Sequence, residues 1–403
     1  MPLYTYRVKN ESGKIFTGEA KVERESDLSA MLIERGYAVV EIKEKNAFTD
    51  ISQIKIFQKR VKIKDLSIFA RQFAIILEAG IPIAACLDIL KEQSTNLTLK
   101  RIITDIGDDI KKGISLSASM KKHNDVFPGL FITMVEAGEV SGQLDKVFNR
   151  LAEQMEKQYK LNQKVKSAMT YPIIVVSIAV IVVIVLMAFA VPQFTVALND
   201  LGVAMPLPTK ILIAVSDFFK FFWWLIFIII IGFILFIRSY VKTKNGKRFF
   251  GNLAIKLPIL KIVVTNIITA RFTRTLGTLI ASGVMLIQSM EVVQNVIGNA
   301  VISEAFEDVI SEIKKGRGLT QPLASMKFFP PMVMSMIKVG EESGDLDFSL
   351  NKCADFYDEE VEVSLKMLTE FIQPAIILVL AFVVGFIVIS ILYPMLTIYQ
   401  NIE

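Results

Sequence analysis

The sequence predicts an all-α membrane protein: two homologous cytoplasmic helical bundles of about six helices each, three transmembrane helices, and a small N-terminal α+β module. Three observations carry that expectation. Long charge-free apolar runs stand among segments of ordinary charge. Distinctive motifs return after 202 or 203 residues. Lys and Arg gather at one end of each apolar run.

A chain of 403 residues has room for two or three domains, each with its own core. Apolar residues make up 53% while 21% are charged, so aqueous and lipid parts are expected to be separate. The net charge of +5 is spread among acidic neighbours and forms no basic face, so no direct nucleic-acid partner is expected. Cys86 and Cys353 lie far apart without metal or redox spacing and read as two buried free thiols. Met1–Tyr6 has no basic stretch followed by an apolar core, so no signal peptide is expected.

Residues 1–45 read as the α+β module. Strands are expected at Tyr4–Val8 and Ile15–Ala20 around an Asn10–Gly13 turn, then a helix at Ser26–Arg35 stopped by Gly36, then a strand at Ala38–Ile42. A basic linker follows at 46–64, with Lys55, Lys59, Arg60, Lys62 and Lys64 among Ile51, Ile54, Ile56 and Phe57. It reads as a tether, or as a contact for anionic headgroups or an acidic partner.

The first bundle is assigned to 65–170, with helices near 65–79, 82–93, 97–112, 127–138 and 143–170 and a short turn at 115–121. Apolar residues at helical spacing (Phe69, Phe73, Ile76, Leu77) run up to Gly80, a helix stop. The second bundle, at 238–370, repeats the pattern with Phe272, Leu276, Leu279 and Ile280 up to Gly283. Phe69-Ala70-Arg71 returns as Phe272-Thr273-Arg274, and Lys111-Lys112-Gly113 as Lys314-Lys315-Gly316. The sharpest return is Gly138-Glu139-Val140-Ser141-Gly142-Gln143-Leu144-Asp145 as Gly340-Glu341-Glu342-Ser343-Gly344-Asp345-Leu346-Asp347. Phe127-Pro128, Pro172 and Pro192 return as Phe329-Pro330, Pro374 and Pro394.

Ile173–Val191 is 19 residues without a charge, about 28 Å of helix against a hydrocarbon core of about 30 Å. Phe221–Ile237 is a second such run of 17 residues, opened by an aromatic cluster suited to the interface. The third has no charge from Phe371 until Glu403. Spans are therefore assigned to 171–192, 221–237 and 371–398, with an external loop at 193–220 and an external tip at 399–403. Lys157, Lys160, Lys164 and Lys166 precede the first run, Arg238, Lys242, Lys244, Lys247 and Arg248 follow the second, and Lys366 precedes the third. The positive-inside rule then puts the N-terminus and both bundles in the cytoplasm. The unrepeated middle span returns the second copy to the same side as the first.

Bond chemistry finds little support. No phosphate-binding Gly-x-x-x-x-Gly-Lys-Ser/Thr loop occurs, no Gly-x-Ser-x-Gly elbow, and His123 is the single histidine. The three apolar runs carry no ionisable residue, which argues against a pump or ion-coupled carrier. No enzyme activity and no cofactor are expected. The repeated motif has two readings. As a helix corner, Gly138 supplies a left-handed cap, Ser141 caps the next helix and Leu144 packs inward. As a contact site, Glu139, Asp145, Glu341 and Asp347 offer carboxylates to a partner or a divalent cation, though too few for a calcium cage alone. Pro172 and Pro374 are expected to kink the long helices where they enter lipid. In the second copy that long helix also carries an acidic cluster of Asp355, Asp358, Glu359, Glu360 and Glu362.

The doubled Gly-Glu-x-Ser-Gly-x-Leu-Asp, the Phe-x-Arg openings, the Lys-Lys-Gly turns and Tyr171-Pro172 resemble the type II secretion system F family over residues 60–400. Copy two departs in lacking the Gln72 that follows Arg71 and in carrying Gln373 for Tyr171. The resemblance implies a non-enzymatic inner-membrane platform of type IV pilus or type II secretion machines. Its implied partners are a cytoplasmic hexameric assembly ATPase, pilin or pseudopilin subunits, other inner-membrane components and further copies of itself in a dimer or higher assembly. The partner-contact candidates are the motif residues Gly138, Glu139, Ser141, Gly142, Leu144, Asp145, Gly340, Glu341, Ser343, Gly344, Leu346 and Asp347, with Arg71 and Arg274. A scaffold or signalling protein without a motor, and a transporter, are the other classes the layout allows.

Overall fold

The computed structural model describes residues 3–9, 15–22, 24–34, 36–44, 60–200 and 206–400. The turn expected at Asn10–Gly13, the tether up to residue 59, residues 201–205 and the tip at 401–403 lie outside the described residues. The chain forms two compact units, Met1–Val61 with Ser94–Arg101, and Lys62–Gln93 with Ile102–Glu403.

In the first unit, strands β1 (Leu3–Lys9), β2 (Ile15–Lys21) and β3 (Ala38–Glu44) make an antiparallel sheet in the order β2-β1-β3. Helix α1 (Glu25–Glu34) precedes β3. Alternation along β1 turns Tyr4 and Val8 inward, where they meet Leu28 and Leu32 from one face of α1.

The second unit holds the repeat apart from Ser94–Arg101, which includes the start of α4. Copy one comprises α2 (Ile63–Glu78), α3 (Ile83–Gln93), α4 (Leu97–Lys111), α5 (Leu116–Lys121), α6 (Gly129–Ser141) and α7 (Leu144–Val185). A π-helical turn at Leu186–Ala190, α8 (Val191–Asp200), α9 (Leu207–Lys242) and α10 (Lys244–Lys256) lead to copy two. That copy comprises α11 (Pro258–Ala281), α12 (Leu286–Val296), α13 (Ala300–Lys314), α14 (Thr320–Ser325), α15 (Pro331–Ser343) and α16 (Leu346–Gln400). Gly80 and Gly283 stop α2 and α11 with φ of 79° and 80°, a conformation that a side chain disfavours.

Each copy is built around phenylalanine. In copy one Phe69, Phe73, Phe127, Phe131 and Phe148 are fully buried, with Phe73 stacked on Phe148 at 4.1 Å between ring centres. Copy two keeps Phe272 and Phe329, 4.6 Å apart, and places Leu276, Val333 and Leu350 where copy one has Phe73, Phe131 and Phe148. Phe306 from α13 helps to fill the space, 5.6 Å from Phe272.

The helices at 144–196 and 346–394 are long and apolar enough to cross a membrane. Both run on through their prolines, Pro172 in α7 and Pro374 in α16, as unbroken helix. Helix α9 carries the second charge-free run and breaks at Phe222 (φ −114°, ψ 19°). The segment 193–220, expected as a loop, is mostly helical, since α8 continues the first apolar helix to Asp200 and α9 begins at Leu207. Met187, Val191, Leu212 and Ile387 form a small core where these helices meet. Beside it Ser216 donates to the Met187 carbonyl (2.6 Å), satisfying an acceptor of the π-helical turn, and Thr209 donates to the Ser390 carbonyl (2.6 Å).

Candidate functional site

The repeated motif folds into a corner between two helices, but not as the sequence predicts. The left-handed residue is Gly142 (φ 69°) and, in copy two, Gly344 (φ 77°). Gly138 lies within α6, and a Cβ there would meet Val147 Cγ2 at 3.0 Å. At Gly340 it would meet the Leu346 backbone at 2.9 Å. These glycines let the long helix cross close over the short one. Ser141 does not cap the next helix; its hydroxyl donates back to the Ala137 carbonyl (2.8 Å). Ser343 in copy two accepts from Asp345 N–H (3.4 Å). Leu144 and Leu346 are half-buried. Asp145 and Asp347 sit in the first turns of α7 and α16, where the helix dipole favours a negative charge.

The motif glutamates have a job inside the fold. Glu139 accepts from the Leu116 and Ser117 amides and the Ser117 hydroxyl, and Glu341 accepts from Leu319 N–H (2.7 Å), Thr320 N–H (3.1 Å) and Thr320 Oγ1 (2.6 Å). Each carboxylate therefore caps a six-residue helix, α5 or α14, that has no room for many internal bonds of its own. Partial burial raises the Glu341 carboxyl, but the bonds from Thr320 and Leu319 outweigh it and hold the group below its ordinary range. No group of three or more potential metal ligands occurs among the described residues.

The Phe-x-Arg openings reach the long helices. Arg71 donates to Asn149 (3.2 Å) and pairs with Glu156 (3.6 Å) on α7. Arg274, itself buried, donates to Asp358 (2.6 Å) and Asp355 (3.1 Å) on α16. Glu156 and Asp358 occupy matching positions of the repeat, so this strut is built twice. Burial pushes the Asp358 carboxyl up, against the pull of Arg274, and it stays above its ordinary value. At Asp355 burial also raises, but Lys157 and Arg274 together bring the carboxyl below it.

Across the seam the copies are tied along α7. Lys157 meets Asp355 (2.8 Å), and seven residues further along both helices Lys164 meets Glu362. Arg150 donates to the Ala281 carbonyl and lies 3.4 Å from Ser282 Oγ. Gln154 bridges Thr275 (3.5 Å) and Thr278 (3.3 Å). A polar cavity of 290 Å³ opens here, lined by Arg150, Glu153, Lys157, Arg274, Asp347 and Asp355. In the sequence these lysines serve only to set orientation by the positive-inside rule. Lys157 to Asp355 and Lys164 to Glu362 are both 198 residues apart, a spacing that differs from the repeat offset and that no local pattern marks.

The repeated sequence that folds this way is found in other proteins. The family described as type II secretion system (T2SS), protein F, matches residues 69–192 and again 272–394. The chain belongs to that family. The F-family repeat thus begins at each core phenylalanine, Phe69 and Phe272, and ends with the apolar part of each long helix. Among F-family relatives, a type IV pilus assembly protein PilC of Thermus thermophilus is 36% identical over the whole of both chains. One of the same name from Myxococcus xanthus is 35% identical over 99% of this chain and 96% of its own. A type II secretion system protein F of Aeromonas hydrophila is 32% identical over 91% of this chain and 95% of its own.

Proposed function

We propose that this protein is the inner-membrane platform of a type IV pilus or type II secretion machine, without bond chemistry of its own. In this reading the N-terminal module and both bundles face the cytoplasm, and Phe221–Ile237 in α9 is a third crossing beside the two long helices. A hexameric assembly ATPase acts on the bundles, and pilin or pseudopilin subunits receive the motion as they leave the bilayer. Copies of the platform assemble as a dimer or a larger ring.

One observation carries the reading: α7 and α16 each run unbroken from a bundle core into an apolar stretch. At 42 and 55 residues they span about 63 Å and about 83 Å. A rigid helix passes displacement at one end to the other, which a flexible linker cannot do. The ties at Lys157–Asp355 and Lys164–Glu362 support one further point, that the two bundles move together.

A flexible Gly/Ser insertion after Lys366 tests the mechanism. Pilus assembly or secretion is expected to stop while the protein still inserts and co-purifies with the assembly ATPase. Full activity of that variant would sink the lever mechanism. Labelling of single cysteines placed in 193–206 and in 243–257 tests the topology, with opposite sidedness expected.

A further inference from the structure

Next to the apolar part of α9, an open pocket of 640 Å³ lies against copy two, and the proposed platform role does not use it. Its walls come from α9, α10, α11 and the α12–α13 connection. One side is apolar, with Val241, Phe250, Val264 and Ile268. The other carries two cations, Lys247 and Arg271, and no carboxylate lines the space. Among the described residues neither cation makes an ion pair.

Arg271 is the unusual member. Its Nη2 reaches Asn162 (3.4 Å), but its Nε is buried with no hydrogen-bond partner among the described residues. The nearby Asp358 is engaged by Arg274 at 2.6 Å. A half-buried guanidinium without a counter-charge is costly, and here burial alone lowers its proton affinity. The guanidinium also lies against Gly298 (φ 80°), where a Cβ would come within 2.9 Å of Nη1. The α13 N-terminus adds positive potential beside Ala300, although Asn299 already occupies the Val301 and Ile302 amides. Copy one has Ile68 at the position of Arg271, so the repeat itself does not require the arginine.

We propose that this pocket binds a phosphate group, held between Lys247 and Arg271, with the apolar wall accepting the chain of an acidic phospholipid. A phosphate supplies the missing counter-charge and acceptors for the guanidinium. That the phosphate comes from lipid rests on Phe221–Ile237 crossing the bilayer, which would put Val241 at the headgroup level. The phosphate contact itself does not.

The test uses the full chain in two settings. In detergent, inorganic phosphate at fixed ionic strength is expected to raise the melting temperature. In nanodiscs of phosphatidylcholine with and without phosphatidylglycerol, native mass spectrometry is expected to find phosphatidylglycerol retained in preference. Lys247→Gln, at an exposed residue, and Arg271→Lys are each expected to weaken phosphate binding about tenfold, while Lys242→Gln and Lys244→Gln leave it unchanged. A phosphate response without lipid preference supports the site with a soluble source. Absence of both responses in the wild type, or equal effects of Lys247→Gln and the two control variants, overturns the proposal.

Discussion

Lys164 on α7 meets Glu362 on α16, one helical heptad beyond the 2.8 Å pair of Lys157 with Asp355. Two pairs in register along two helices mark a single mutual slide and favour it over its neighbours. Both are largely exposed, so each adds under about 1 kcal/mol to stability. Their value lies in alignment. Lys164→Glu and Glu362→Lys are each expected to loosen the seam, seen as faster hydrogen exchange in α7 and reduced pilus assembly or secretion. The double reversal is expected to restore both, and failure to restore would mean that the pair does not set the register.

The two struts should differ in strength. Arg274 is buried and holds two carboxylates, whereas Arg71 is 39% exposed and its Glu156 also has Lys160 at 2.7 Å. Arg274→Ala leaves the half-buried Asp358 without its cation and is expected to cost about 2 kcal/mol, below the range for a fully buried pair. Arg71→Ala is expected to cost less than about 1 kcal/mol. Denaturant titration of the purified protein distinguishes them, and equal losses would refute the asymmetry.

The Glu341 cap gives a pH dependence. The Glu341 carboxyl is held below its ordinary value, so its unfolded form binds a proton at higher pH than the folded form. Its stabilisation is therefore full above the unfolded value of about 4.3 and fades as pH falls through the folded one. Glu341→Gln is expected to lose about 1 kcal/mol at pH 7, the size of a lost helix cap. The gap in melting temperature from wild type is expected to narrow below about pH 4.

At the helix corners, substitution should rank by what a new Cβ meets. Gly340→Ala strikes backbone at 2.9 Å, and α15 and α16 must part to admit it. Gly138→Ala meets only side-chain atoms, the nearest at 3.0 Å, and Gly344→Ala meets nothing but must hold a positive φ. Gly344→Ala is expected to cost about 1 kcal/mol, and Gly340→Ala the most of the three. Thermal melts of the three variants check the order.

Both thiols should be silent in the native protein. Cys86 and Cys353 are fully buried, and burial raises both, Cys353 to about 11. Ellman's reagent at pH 8 is expected to find two reactive thiols only after denaturation.

The repeat, the F family and the apolar character of the long helices could be read from residue order alone. They depend on motif spacing and on charge-free length, and both are properties of the chain before it folds. The positions of Gly80 and Gly283 were legible for the same reason, since a helix stop is local. The corner was only half legible. A Gly-Glu-x-Ser-Gly string announces a turn, yet which glycine goes left-handed depends on how closely the following helix crosses, and that assigned Gly142 and left Gly138 to the crossing. The roles of Glu139 and Glu341 depended on short helices 22 or 23 residues away, which no local pattern connects to them. The acidic cluster at Asp355–Glu362 marked the copies as unequal. Only the packing of α7 against copy two showed that Asp355 and Glu362 face Lys157 and Lys164. Charge pairs 198 residues apart are set by the relative slide of two folded bodies, and tertiary structure alone decides that.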